Sequence, residues 1–118
     1  MKIVLAQQNY HIGNFEANTN KIIKAVRDAK AQGADLVVFS ELCVCGYPPR
    51  DFLEFNDFIE QSMSAVQQIA AEAKGIAILV GAPARNEKPE GKDLHNSVYF
   101  LQEKQIAKVI HKTLLPTY

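Results

Sequence analysis

The sequence has no tryptophan, only two cysteines and no excess of charge of either sign. Thirteen Lys and Arg residues balance thirteen Asp and Glu residues, so no net field attracts nucleic acid or an anionic membrane surface. No apolar run approaches the length of a membrane span, and the residues from Met1 to Leu5 lack the longer apolar stretch and cleavage site of a signal peptide. These absences argue against nucleic-acid and membrane partners and favour a neutral small-molecule substrate.

The cysteines, Cys43 and Cys45, are separated by a single residue, a spacing that makes an intradomain disulfide geometrically awkward. We therefore expect reduced thiols and a cytoplasmic protein. Two thiols also make a poor metal site without nearby histidine or further cysteine, and His11 and His95 lie far away in the sequence. We expect no metal site in this chain.

Phosphate-binding motifs are missing as well. Neither the turn Ile12-Gly13-Asn14 nor the segment at Gly81 forms a GxGxxG or GxxxxGK[ST] pattern. The chain itself therefore gives no support to nucleotide binding.

Hydrophobic periodicity predicts one α/β domain in which helices cover a sheet. Apolar runs predict buried strands, and helical spacing predicts two helices that end at Gly33 and Gly75. The predicted strands are residues 3–6, 36–39, 76–80, 96–101 and 105–110, and the helices cover residues 15–32 and the stripe that begins at residue 58. The polar turn at residues 102–104 between the last two strands indicates a hairpin. A loop is predicted to begin at Gly81, and Tyr99 is predicted to lie in the core.

Glu41 follows Ser40 immediately beyond the predicted strand 36–39. It therefore lies at the carboxyl edge of the sheet, where α/β proteins gather their functional sites. A carboxylate at this position is placed to act as a general base. The competing interpretation is a glutamate that caps a helix or forms a surface salt bridge at a loop entrance.

Lys112 ends the last predicted strand region and precedes a proline-containing loop. An ammonium group there is placed to stabilise a developing oxyanion, whereas the competing interpretation is an ordinary solvated lysine. His111 alternates with Lys112 along the strand, so we expect it to point to the opposite face and to be structural.

A thiolate beside a base is the usual arrangement for covalent acyl transfer, which makes Cys43 and Cys45 candidate nucleophiles. Pairing either one with Glu41 would place base and nucleophile on one short loop with little room for a substrate, so we favour neither. Tyr47 and Tyr118 lie in the loops after the two candidate strands, and they either line one pocket or pack on the surface.

Taken together, three segments resemble the nitrilase superfamily of carbon-nitrogen hydrolases over the whole chain. The first segment, residues 36–42 with Gly46-Tyr47-Pro48, resembles the family's glutamate motif, and Pro49-Arg50-Asp51 continues it as in glutamine-dependent NAD synthetases. The second, residues 111–116, resembles the family's lysine motif. The third, residues 2–7 with Gly13 and Asn18, is similar to the family's first strand and helix entry.

The resemblance implies a nitrilase-like αββα sandwich, here its N-terminal portion, that hydrolyses carbon-nitrogen bonds with a Cys, Glu and Lys triad. Glu41 matches the general base and Lys112 the oxyanion-stabilising lysine. Tyr118, and with it Tyr47, matches the glutamine-binding pocket. The family's nucleophilic cysteine follows the lysine motif, beyond Tyr118, and neither cysteine of this chain matches it. We therefore expect residues 1–118 to be a partial glutaminase domain, truncated before the nucleophile and inactive alone.

For the intact enzyme the resemblance implies that glutamine releases ammonia to a separate synthetase domain, which uses ATP and Mg²⁺ to amidate deamido-NAD. Glutamine and that domain are the expected partners, the expected assembly is a homo-oligomer, and this chain is expected to hold no cofactor. One alternative is another nitrilase-family amidase or carbamoyl hydrolase. The other is a non-catalytic module built on the same fold.

Overall fold

A computed structural model describes residues 1–8, 10, 14–40, 55–85 and 94–112. Strands and helices alternate up to the third strand, as the hydrophobic pattern predicts, and two further strands follow. In chain order the elements are β1 (Ile3–Ala6), α1 (Phe15–Ala31), β2 (Leu36–Phe39), α2 (Phe55–Ala70), β3 (Ala77–Arg85), β4 (Leu94–Gln102) and β5 (Gln105–Lys112).

The five strands form one sheet in the order β1-β2-β3-β4-β5. β1, β2 and β3 are parallel, β4 is antiparallel to β3, and β5 is antiparallel to β4. β5 therefore runs in the same direction as the first three strands. The carboxyl ends of β1, β2, β3 and β5 consequently lie on one side of the sheet, here called the carboxyl edge.

Helix α1 begins where Asn14 caps it, because the side-chain oxygen of Asn14 accepts a hydrogen bond from the backbone N–H of Ala17 at 3.0 Å. Its buried apolar residues recur every three or four positions, which turns one stripe toward the sheet. These residues are Ile22, Val26 and Ala29. Gly33 follows with a φ of +80°, so the predicted glycine at the helix end is confirmed.

Helix α2 ends at Ala70, so the prediction that Gly75 ends it is wrong. The backbone N–H groups of Glu72 and Ala73 bond to carbonyls three residues back, which tightens the chain into a turn. Gly75, with a φ of +76°, lies at the end of that turn, just before β3. The apolar stripe is confirmed at Val66, Ile69 and Ala70, whereas the side chains of Phe58 and Ile59 lie outside the described residues.

Strand β3 continues to Arg85, so the prediction of a loop beginning at Gly81 is wrong. The extension arises from pairing, because β4 accompanies β3 residue by residue from Ile78 opposite Leu101 to Arg85 opposite Leu94. A single-sequence pattern contains no sign of this distant partner strand. The predicted hairpin between β4 and β5 is confirmed, and its turn residues Glu103 and Lys104 have φ values of +54° and +62°, as a tight two-residue turn requires.

The core lies between the helices and one face of the sheet. Tyr99 is 2% exposed there, which confirms its predicted place in the core. Side chains of β2, β3 and β4 that point to this face pack with the helix stripes; they include Val37, Phe39, Ile78, Val80, Ala82 and Leu101.

The opposite face of the sheet, here called the open face, carries exposed apolar side chains. Ile3, Leu5 and Ile110 are 51%, 71% and 51% exposed. The prediction of a buried first strand is therefore wrong: Ile3 and Leu5 are exposed and Val4 and Ala6 are only partly buried, because the two described helices pack on the other face. Within the described ranges, neither helix is long and apolar enough to cross a bilayer.

Candidate active site

The two strands that lead to the predicted catalytic residues, β2 and β5, end at the same edge of the sheet. β2 ends at Phe39, and Ser40 is the last described residue before Glu41. β5 ends at Lys112 itself. Because β2 and β5 run in the same direction, the chain leaves both of them at the carboxyl edge.

The register shows how far each of these two strands extends. Val38 pairs with Leu79, Leu79 with Phe100, and Phe100 with Lys108, so these residues form one row across the sheet. β2 ends at Phe39, one residue after Val38, whereas β5 ends at Lys112, four residues after Lys108. Since a strand rises about 3.3 Å per residue, β5 extends beyond β2 by about three residue steps, roughly 10 Å.

β3 and β4 separate the two exits. Neighbouring strands lie about 4.8 Å apart, so three spacings place β2 and β5 roughly 14 Å from each other. The ladder of β3 and β4 also projects beyond the row of Leu79, as far as Arg85 opposite Leu94. The edge thus has two strand ends on either side of a projecting two-stranded ribbon.

His111 pairs with Ser97, and the pleat of the sheet places both residues on the helix-covered face. The predicted place of Lys112 on the opposite face stays a prediction, because its side chain lies outside the described residues.

Ser97 is a residue that sequence reasoning missed. Its side-chain oxygen lies 2.8 Å from Nδ1 of His111, and the residue is 1% exposed. The two residues are direct cross-strand partners, next to the pair formed by Asn96 and Lys112. The available signal was a serine directly before the apolar run from Val98 to Leu101, but its partner becomes visible only through the register.

The pKa values of Arg27 and Glu72 are shifted by a contact between α1 and the turn after α2. Arg27 on α1 and Glu72 after α2 form an ion pair with Nε and Oε1 2.8 Å apart. The hydrogen bond from Arg27 lowers the pKa of Glu72, and the bond to Glu72 raises the pKa of Arg27. Within the described part of the chain, no three His, Cys, Asp or Glu side chains are grouped so that they could hold a metal ion.

Two surface cavities are lined by described residues of the helices and of the opposite sheet edge. One, of about 500 Å³, lies between α1 and α2 and is lined by residues that include Glu16, Asn20 and Gln61. The other, of about 380 Å³, is lined by residues that include Met1 and Glu103. Neither coincides with the carboxyl edge between β2 and β5.

All of the predicted site side chains lie outside the described residues. This holds for Glu41, Tyr47 and Tyr118, for both cysteines, and for the side chain of Lys112, whose backbone alone is described. The contacts among these groups therefore stay predictions. What the structure describes is the sheet edge from which the glutamate and lysine segments depart.

Comparison with known proteins agrees with this architecture. The sequence model of the carbon-nitrogen hydrolases matches residues 2–117. A glutamine-dependent NAD(+) synthetase from Synechocystis is 43% identical over 98% of this chain and 22% of its own length. The chain thus spans about a fifth of the length of this curated relative.

Solved structures show the same arrangement of the backbone. A glutamine-dependent NAD+ synthetase from Acinetobacter baumannii, in complex with ADP, matches 98% of this chain and 21% of its own, with a TM-score of 0.82 and 35% identity. A variant of an amidase of the nitrilase superfamily from Nesterenkonia matches all of this chain and 45% of its own, with a TM-score of 0.78 and 25% identity. The nitrilase-like α/β fold is therefore shown.

Proposed function

Because this chain belongs to the carbon-nitrogen hydrolase family, we propose that it is part of the glutaminase domain of a glutamine-dependent NAD synthetase. The observation that carries the proposal is the match of nearly the whole chain to synthetases of that kind. The carboxyl edge, at which both β2 and β5 end, also supports the proposal, since a glutamate and a lysine that act on one substrate must lie in the same cleft. Residues 1–118 form part of the catalytic domain in this proposal, and not a separate module.

Glu41 and Lys112 act in this proposal with the cysteine that the family places after its lysine motif. The cysteine thiolate attacks the side-chain carboxamide carbon of glutamine, and the Lys112 ammonium stabilises the oxyanion that forms. Glu41 takes the thiol proton and delivers it to the leaving nitrogen, so that ammonia departs and a thioester remains. Glu41 then takes a proton from water, which attacks the thioester and releases glutamate.

The proposed glutamine pocket includes Tyr118 and Tyr47, which follow the lysine and glutamate motifs. Ammonia then serves a synthetase domain that amidates deamido-NAD with ATP and Mg²⁺. This chain contains no glycine-rich phosphate motif, so we assign none of its residues to ATP. A homo-oligomer and a cytoplasmic location complete the proposal, the latter on account of the two closely spaced cysteines.

The open face of the sheet supports the four-layer αββα arrangement. The described residues supply one helix layer and one sheet layer, and exposed apolar residues, Leu5 and Ile110 among them, cover the free side of that sheet. Apolar surface of this kind is stabilised when another layer covers it. We propose that the second sheet of the sandwich packs on this side.

A second candidate function is hydrolysis of another amide, and the similarity to an amidase of the same superfamily favours it. The two candidates share the triad and differ in the pocket that selects the acyl group. A continuation of the glutamate motif through Pro49, Arg50 and Asp51 supports the synthetase instead.

The test is ammonia release from glutamine and from an aliphatic amide, measured on a polypeptide extended to include the family's cysteine. Hydrolysis of glutamine with little turnover of the aliphatic amide is expected, and the reverse preference would establish the second candidate. Residues 1–118 alone are expected to release no ammonia above the blank, because the nucleophile is missing.

A control variant of residues 1–118 carries serine in place of both Cys43 and Cys45. Ammonia release by this variant would overturn the assignment of the triad. Activity of residues 1–118 that disappears in the variant would instead identify one of the two cysteines as the nucleophile.

A further inference from the structure

We propose that Ser97 and His111 form a clasp that positions Lys112. This inference rests on the proposed function and names two positioning residues for the same site. The clasp is the contact of 2.8 Å between the Ser97 hydroxyl oxygen and Nδ1 of His111. It connects β4 with β5 one residue before Lys112, at the point where β5 ends.

The Ser97 hydroxyl is well suited to anchor such a contact. Ser97 is 1% exposed, and its backbone pairs on one side with Ala82 of β3 and on the other with His111 of β5. Neighbours on both sides therefore restrain it. Either tautomer of the imidazole maintains the contact, because the hydroxyl can donate to a bare Nδ1 or accept from a protonated one.

His111 directly precedes Lys112 in β5. The register places the imidazole of His111 on the helix-covered face, opposite Ser97. The imidazole acts by holding the final residues of β5 against β4. A strand end without such a contact opens locally more often than the middle of a ladder.

The position of a strand end matters here because the lysine must meet an oxyanion that exists only in the transition state. A misplacement of about 1 Å can cost on the order of 100-fold in rate. Loss of the clasp should therefore lower kcat and leave KM nearly unchanged, as expected when an interaction made mainly in the transition state is weakened. A purely structural contact would lower the amount of folded protein without this division between kcat and KM.

The experiment uses the extended polypeptide that includes the cysteine and compares His111→Ala, Ser97→Ala and His111→Asn with the parent. His111 is exposed, so His111→Ala should fold normally. Both alanine variants are expected to lose between about tenfold and about 100-fold in kcat for glutamine. His111→Asn should recover most of that loss, since the asparagine side chain offers a polar atom near the position of Nδ1. The matched control is Gln105→Ala, at the other end of β5, which should retain the kcat of the parent.

Amide hydrogen exchange of residues 109–112 gives a readout that does not depend on the substrate. It should accelerate in His111→Ala and stay unchanged in Gln105→Ala. If the parent hydrolyses glutamine but both alanine variants keep its kcat, the clasp is overturned and the proposed function stands. If the parent does not hydrolyse glutamine, the proposed function fails, and unchanged exchange in His111→Ala then overturns the clasp independently.

Discussion

The hydroxyl of Tyr99 donates a hydrogen bond to the sulfur of Met63 at 3.3 Å and so joins the middle of β4 to α2. The Tyr99 residue is 2% exposed, and its ring belongs to the core beneath the helices. Burial raises the pKa of Tyr99, because the phenolate would lose its hydration there. The fold therefore holds the neutral phenol.

This relationship predicts a loss of stability at alkaline pH. Because the folded pKa of Tyr99 lies above the unfolded one, its contribution to stability is complete below about pH 10 and is lost as pH rises through the folded value. As pH rises from about 8 to about 11, the free energy of unfolding of Tyr99→Phe should therefore increase relative to that of the parent. Urea unfolding at a series of pH values measures this difference, and a constant difference would contradict the prediction.

Replacement of a buried isoleucine and of an open-face isoleucine by alanine should change the free energy of unfolding by different amounts. Ile69 is 0% exposed and Ile110 is 51% exposed. In the polypeptide of residues 1–118, Ile69→Ala should cost about 2–5 kcal/mol of unfolding free energy, whereas Ile110→Ala should cost much less. In an extended polypeptide with the second sheet, the cost of Ile110→Ala should rise toward that of Ile69→Ala. An Ile110→Ala cost that is equally small in both would argue against the proposed covering layer.

Replacement of Ser62 by alanine should stabilise the protein. Its hydroxyl is buried on α2 and has no hydrogen-bond partner among the described residues. An unsatisfied polar group of this kind typically costs about 1–3 kcal/mol, and alanine is also the better helix former. Ser62→Ala should therefore raise the free energy of unfolding by about 1 kcal/mol.

The control for this change is Ser64→Ala on the exposed side of the same helix, which tests helix propensity alone. Its effect should stay within about 0.5 kcal/mol. Thermal denaturation of both variants provides the comparison. A Ser62→Ala variant less stable than Ser64→Ala would show that the buried hydroxyl has a partner.

Lys112→Arg should be almost as damaging to turnover as Lys112→Ala in a polypeptide that includes the cysteine. A compact ammonium can reach the point where negative charge develops, whereas a planar guanidinium is bulkier and directs its donors differently. Loss of an oxyanion donor typically costs about 100- to 1000-fold in turnover. Steady-state kinetics with glutamine decides this, and turnover of Lys112→Arg within about threefold of the parent would contradict the assigned role.

The sequence alone determined the order of the elements and the fold class. Strands β1 and β2 have the predicted bounds, α1 ends before the predicted glycine, and the hairpin turn lies at Glu103 and Lys104. These features depend on short-range patterns, in which apolar spacing and turn residues act within a few positions of each other. The motifs that resemble the nitrilase superfamily are equally local, which is why the amino-acid sequence suffices to select Glu41 and Lys112 as candidates.

Only the tertiary structure decided how far β3 extends, which face of β1 is covered and where the β2 and β5 exits lie relative to each other. The extension of β3 to Arg85 depends on a partner strand 9 to 17 residues further along, in β4. The exposure of Leu5 reflects that the described helices pack on one face of the sheet. The contact between Ser97 and His111 arises in the same way, since cross-strand register joins residues that no local pattern relates.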